Sequence, residues 1–302
     1  MNERNADFIL PYNARHHYPK VDNKLLTKRL AMEAGIAVPE LYGVVDIIHE
    51  IERLGDILAP YEDFVVKPAH GAGGEGILII TGRQNDRYRM ANGILTDEDE
   101  LGHHITNILG GLYSLGGVPD SALIEYRVKF DPVFENISFE GVPDIRTLVF
   151  RGIPVLAMIR LPTRLSSGKA NLHQGAIGVG IDIASGKTFT GVWREHLVET
   201  HPDTGANLSG RLIPYWDEIL ALTAQCHDFA DLGFIGVDIV LDEVLGPMML
   251  EINARPGLSI QLANRIGLLP RLRHVEGINN LPESVPERIQ LAKDLARISL
   301  LQ

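Results

Sequence analysis

The sequence predicts an α+β fold dominated by antiparallel sheet. Apolar segments of strand length come in neighbouring pairs around short turns, at 145–161, 177–193 and 236–253. Helical patterns sit between these pairs rather than after every strand, which separates the chain from a doubly wound parallel sheet. With 302 residues, 45% hydrophobic and 22% charged, the chain has the makeup of a globular protein of one large or two modest domains.

Residues 22–34 read as a helix: Asp22 offers an N-cap, Leu25, Leu26, Leu30 and Ala31 form one apolar stripe, and Gly35 ends it. A second helix is expected over 46–58. Phe64 to Pro68 is a short strand stopped by proline, and a glycine loop leads from it to a strand over 76–80. Residues 97–115 read as a helix, and 122–128 as a strand running into a connection. Two strands fill 145–161 around a turn at Arg151 and Gly152. The polar, glycine-containing stretch 165–178 reads as a loop, followed by the strand pair in 177–193 and a helix with an apolar stripe over 215–232. After the 236–253 hairpin come a short helix at 259–267 and an amphipathic closing helix at 286–301. No internal repeat or low-complexity segment interrupts this order.

The net charge of −11 disfavours nucleic acid and anionic membranes as bulk partners, so any anionic ligand needs locally placed Arg and Lys. The single cysteine, Cys226, cannot form an internal disulfide or a cysteine metal site; it reads as core packing in a reducing compartment. The charged N-terminus lacks a signal-peptide core, and no apolar run is long enough to span a bilayer. The expectation is a soluble cytoplasmic protein with no nucleic-acid partner and no membrane insertion.

The hairpin carries the strongest chemistry. Its strands flank an acidic turn from Asp242 to Gly246, and antiparallel pairing brings Asp238 near Glu251 and Asn253. Glu251 and Asn253 are two apart and leave the same face of the strand. Two carboxylates and an amide oxygen, with no His or Cys, suit Mg²⁺ or Mn²⁺, and Mg²⁺ at such sites is completed by water and nucleotide phosphates. The cluster therefore points to ATP. The plainer alternative is an acidic hairpin with a solvated turn.

Other segments are candidates for the phosphate side. Lys24 opens the first helix, where a solvated lysine is the ordinary reading. Lys67 ends an apolar strand just before His70-Gly71-Ala72-Gly73-Gly74-Glu75-Gly76. Glycines at 71, 73, 74 and 76 let backbone N–H groups turn toward an anion, although a flexible hairpin turn fits too. The loop is neither a Walker loop nor a dinucleotide fingerprint. At the strand end Glu125-Tyr126-Arg127-Val128, main-chain groups and the Glu125 carboxylate can read an adenine edge.

Arg146, Arg160 and Lys169 are candidates to neutralise charge on a transferring phosphoryl group. Asn171 is a candidate oxygen ligand or phosphate contact, and His173 a candidate for proton transfer. Each of them alone is also an ordinary surface group. Arg255, two past Asn253, is expected to point the same way, either onto an acceptor carboxylate or across the acidic cluster.

In series, Asp22-Asn23-Lys24, Val66-Lys67-Pro68 with its glycine loop, Glu125, Asn171, Asp238 and Glu251-Ile252-Asn253-Ala254 resemble the ATP-grasp superfamily of carboxylate–amine ligases. The nearest resemblance is to alpha-L-glutamate ligase-like proteins, relatives of the enzyme that adds glutamate to a ribosomal protein C-terminus. It runs from about residue 20 to about residue 270. It implies an ATP-grasp fold of two α+β subdomains clasping ATP: a stub with helices over 1–60, a lid with the glycine loop over 61–127, a catalytic and metal-binding part over 128–275, and a C-terminal helix over 276–302.

By the same resemblance Lys24 and Lys67 contact the α- and β-phosphates, Gly71 to Gly76 cover the β- and γ-phosphates, and Asp238, Glu251 and Asn253 hold Mg²⁺. The implied reaction activates a carboxylate as an acyl phosphate that an amine attacks, for instance adding an amino acid such as glutamate to a peptide or small carboxylate. A phosphotransferase, with a transient phosphate on His173, and a non-catalytic nucleotide-dependent binding subunit are the alternatives.

The chain departs from the glutamate ligases in two places. The α/β domain that precedes the first lysine is expected to be missing or reduced, with the acceptor wall supplied by the C-terminal tail, a second subunit or a partner protein. Lys169-Ala170-Asn171 and Gly175-Ala176 stand where those ligases carry Arg-x-Asn and a glycine pair, and a lysine lacks the planar fork that grips a carboxylate.

Overall fold

The computed structural model describes residues 3–71, 73–114 and 116–299. The chain divides into two compact units. The smaller comprises Asn23–Leu25 and Pro39–Val128; the larger comprises residues up to Asp22, Leu26–Val38 and the chain from Lys129 onward. The first 60 residues are therefore shared between the units. The helix Val285–Ser299 belongs to the larger one, where Ala292, Leu295 and Ala296 join its core.

The smaller unit is a six-stranded antiparallel sheet in the order β1-β6-β2-β3-β4-β5. Its strands are β1 (Leu41–Val45), β2 (Phe64–Pro68), β3 (Leu78–Gln84), β4 (Arg87–Met90), β5 (Leu95–Thr96) and β6 (Ala122–Glu125). The helix Glu98–Leu109 packs Leu101, Ile105 and Ile108 with Phe64, Val66, Ile80 and Ile124 in one core. Asp97 caps this helix by accepting the Glu100 N–H at 3.0 Å, completed by a Glu100 capping box. The helix ends at Leu109, short of the expected 115, because two glycines follow and Gly111 has φ +79°. Over 46–58 the expected single helix is a 3₁₀ segment, Ile48–Arg53, followed by the helix Leu54–Leu58.

The larger unit is a seven-stranded antiparallel sheet in the order β11-β10-β9-β8-β7-β12-β13. These are β7 (Asp144–Phe150), β8 (Ile153–Leu161), β9 (Ile177–Ile181), β10 (Thr188–Trp193), β11 (His196–Val198), β12 (Phe234–Asp242) and β13 (Gly246–Asn253). β7 and β12 are buried along their whole length, so both sheet faces are covered and their near-continuous apolar runs are explained. Helices Trp216–Ala230, Ser259–Asn264, Leu269–Glu276 and Val285–Ser299 complete the unit; the third has no counterpart in the sequence reading. Burial of each large apolar side chain contributes about 1.5–3 kcal/mol, and this core holds Phe150, Phe234, Ile235, Ile239 and Leu272 among others.

The N-terminal residues are helical over Arg4–Ile9 and Leu10–Tyr12. Buried Asn13 ties them to the hairpin: its Nδ2 donates to the carbonyls of Phe234 (2.7 Å) and Ala254 (2.9 Å), and its Oδ1 accepts the Phe234 N–H (2.8 Å). The first regular helix is Lys24–Glu33, which buries Thr27, Lys28 and Ala31 and leaves Leu26 exposed, so the leucine stripe does not set its inner face. Among the described residues no helix is long and apolar enough to cross a membrane.

Candidate active site

Sheet register in the larger unit builds a row of charge. Asp238 lies opposite Glu251 on β13 and opposite Arg146 on β7; Asp144 on β7 lies opposite Arg160 on β8; Asn253 lies opposite Gly236. Residues opposite each other in an antiparallel ladder share a face, so these side chains meet although they come from four strands. Arg146 grips Asp238 with both arms of its fork, Nη2 at 2.5 Å from Oδ2. Arg160 makes the same two-armed contact with Asp144 and reaches Oδ2 of Asp238 at 2.8 Å. Gly236 makes room for this: a Cβ there would stand 2.6 Å from Pro256 and 3.3 Å from Cδ of Arg146.

Burial acts to raise the pKa of Asp238, but Arg146 and Arg160 outweigh it and hold this carboxyl well below the usual carboxylate range. Burial pushes Asp144 up to about 6 against the pull of Arg160, helped by the charge on Asp238. Burial opposes the Arg160 charge, and the facing carboxylates overcome it and raise the guanidinium above its ordinary value. Asp238 is 1% exposed, whereas the Glu251 side chain is 35% exposed and stands 4.0 Å from Arg146. Asn253 Nδ2 donates to Glu251 Oε1 at 3.3 Å.

The outward, ligand-accessible part of the row is therefore Glu251 with Asn253, backed by an ionised Asp238. These are hard oxygen donors and fit Mg²⁺, whereas both oxygens of buried Asp238 are taken by Arg146 and Arg160, so the structure does not present it as the expected ligand. The described residues hold no gathering of three His, Cys, Asp or Glu side chains suited to a metal; two acids and one amide make up this set.

The smaller unit carries the cations. Lys67, at the end of β2, forms a buried ion pair with Glu125 on β6, one register step away diagonally. The Lys24 backbone N–H donates to Ala69 O at 3.0 Å, and its ammonium donates to Gly71 O, so the helix start is fastened to the head of the glycine loop. Gly73 (φ +66°) and Gly74 (φ +79°) hold left-handed backbone, which a side chain would strain; Gly76 follows in the same loop.

Several candidates stand elsewhere. Arg255 lies beyond the last residue of β13, so strand alternation does not govern it; its guanidinium sits 4.9 Å over the Tyr18 ring, and Arg146 takes the place expected for it across the acidic cluster. Asn171 spends its Oδ1 on the backbone N–H of His173 (3.0 Å), capping a 3₁₀ turn. His173 is exposed, and the Lys169 backbone N–H closes a turn onto Ser166 O at 3.0 Å. The Tyr126 N–H is taken by Glu40 O at 2.8 Å, which removes it as an adenine donor; Val128 is half-buried. The turn at Asp242 is not a solvated acidic one: Asp242 is 1% exposed and accepts backbone N–H groups of Lys129, Val244 and Leu245.

Sequence reasoning missed Asp144, the acid shared between the arginines, although its place two before Arg146 on one strand was a usable signal. It also passed over the pair His70–Asp120, 50 residues apart with no local signal.

Comparison with known proteins gives the family. The sequence profile described as sugar-transfer associated ATP-grasp matches residues 3–277. That description differs from the glutamate ligase-like proteins that the motifs resemble, and the relation to the ribosomal-protein ligase finds no support. No curated protein sequence matches. Among solved structures, the Rhizobium etli pyruvate carboxylase T882A is similar at 13% identity and TM-score 0.52, over 89% of this chain and 19% of that one. The biotin carboxylase domain of Hydrogenobacter thermophilus 2-oxoglutarate carboxylase, in complex with MgADP, ADP and bicarbonate, is similar at 15% identity and TM-score 0.51, over 88% of this chain and 48% of that one. The ATP-grasp ligase PsnB with its minimal precursor aligns at 14% identity and TM-score 0.43, over 95% of this chain and 63% of that one. The chain thus spans less than two thirds of the length of each.

Proposed function

The chain belongs to the sugar-transfer associated ATP-grasp family, and on that premise we propose that it is an ATP- and Mg²⁺-dependent ligase joining a carboxylate to an amine. A carboxylate oxygen of the acceptor attacks the γ-phosphorus of ATP and ADP leaves. The amine nitrogen then attacks the acyl carbon, phosphate leaves, and an amide remains. Mg²⁺ supplies charge neutralisation for the phosphoryl transfer when bound.

The observation that carries this reading is the row on the larger unit, where Glu251 and Asn253 face outward beside an ionised, doubly gripped Asp238. Arg146 and Arg160 act there as positioning residues, because both forks are spent on carboxylates. On the smaller unit Lys24 and Lys67 take the phosphate side, and the buried Lys67–Glu125 pair holds its ammonium in one place. MgADP in the Hydrogenobacter domain of the same fold supports the nucleotide.

The test is Glu251→Gln, which keeps shape and removes one charge. Phosphate release from MgATP with pooled amino acids and small carboxylates should fall at least about a hundredfold while thermal unfolding is unchanged. Unaltered turnover would remove Glu251 from the site. Amide and free phosphate among the products support ligation; a stable phosphorylated product favours phosphotransfer.

A further inference from the structure

The nucleotide reading leaves the pair His70–Asp120 on the smaller unit without a task. His70 follows β2 at the head of the glycine loop, and its Nδ1 lies 2.7 Å from Oδ1 of Asp120. The Asp120 side chain is 0% exposed, whereas that of His70 is 44% exposed. Asp120 also accepts the backbone N–H of His70 at 2.9 Å and that of Ser121 at 2.8 Å. Facing a carboxylate, Nδ1 is the donor, so Nε2 is the ring atom left for a ligand. Among the described residues no hydrogen bond reaches Nε2. A buried carboxylate that orients an exposed imidazole incurs desolvation, a cost that a merely solvated histidine does not require.

The neighbours indicate what the ring meets. Lys24 is fastened at Ala69 by its backbone N–H and at Gly71 by its ammonium, so it brackets His70 on both sides. The left-handed glycines at 73 and 74 follow directly. In a chain of net charge −11, an anion needs local cations, and the Lys67 charge is matched by Glu125.

We propose that His70 is a phosphate-binding side chain, donating Nε2–H to an oxygen of the ATP polyphosphate, with Asp120 as its positioning residue. This rests on the nucleotide reading above. With Nδ1 donating to Asp120, donation from Nε2 uses the doubly protonated ring, and its bonds to the carboxylate and to the phosphate are then both charge-assisted.

MgATP is titrated calorimetrically into wild type, His70→Ala, His70→Gln and Lys67→Ala, and ¹⁵N spectra of the wild-type imidazoles are recorded with MgATP and with NaCl at matched ionic strength. His70→Ala should bind MgATP roughly tenfold more weakly with an unchanged thermal midpoint, and the Nε2 resonance should move with MgATP and not with salt. If both His70 variants keep full affinity, or the ring resonance stays put, the role of His70 is overturned while loss of binding in Lys67→Ala keeps the nucleotide reading. Absence of MgATP binding by the wild-type protein sinks both.

Discussion

In the larger unit two guanidiniums and three carboxylates share contacts across β7, β8, β12 and β13, whereas the smaller unit's ion pairs Lys67–Glu125, His70–Asp120 and Arg127–Asp63 share no residue. Arg146 holds Asp238 by two bonds and Arg160 by one, so losing Arg146 leaves the acid a single contact from an arginine already engaged with Asp144. A shared network on one sheet fixes each member through its neighbours, whereas a pair that shares no residue with another depends on its own two groups. The histidines differ in the same sense. His201 of the larger unit is 1% exposed, with Nε2 on Pro162 O and Nδ1 accepting the Asp203 N–H, whereas His70 presents its ring outward.

The largest break in this comparison is Arg146→Ala. It takes the two-armed contact from fully buried Asp238 and should cost about 3–5 kcal/mol in urea unfolding. A loss under about 1 kcal/mol would show that Arg160 alone suffices, and the sharing would then be redundancy rather than support. Glu125→Gln should cost less, about 1–3 kcal/mol, because Lys67 keeps an acceptor and loses only its countercharge. A cost equal to that of Arg146→Ala would erase the distinction between the two kinds of pairing.

The smallest effect is in pH. Burial lowers the pKa of His201, so the folded state holds the ring neutral while the unfolded state takes up a proton below the ordinary value of 6.5. Stability should therefore fall as the pH drops through that value, and His201→Gln should flatten this part of the profile of urea midpoints. An identical slope in the variant would assign the proton uptake elsewhere, for instance to His227, which burial also lowers.

The strands flanking tight turns were legible because alternation and turn residues are local: Arg151-Gly152 and the acidic turn at Asp242 to Gly246 mark their hairpins directly. The short strands β1, β4, β5 and β11 and the helix Leu269–Glu276 were not, since they depend on what packs against them more than on their own pattern. The Arg255 expectation failed for a related reason, because alternation ends where the strand does.

By itself the sequence determined that Glu251 and Asn253 share one strand face, because two-residue spacing on a strand is fixed by the backbone. The tertiary structure alone decided that Arg146 and Arg160 serve Asp238 and Asp144 rather than stand free, that Asn171 is spent on its own turn, and that Asp120 stands behind His70. Those pairings depend on register between distant strands and on which charges lose water, neither of which is written in any one segment.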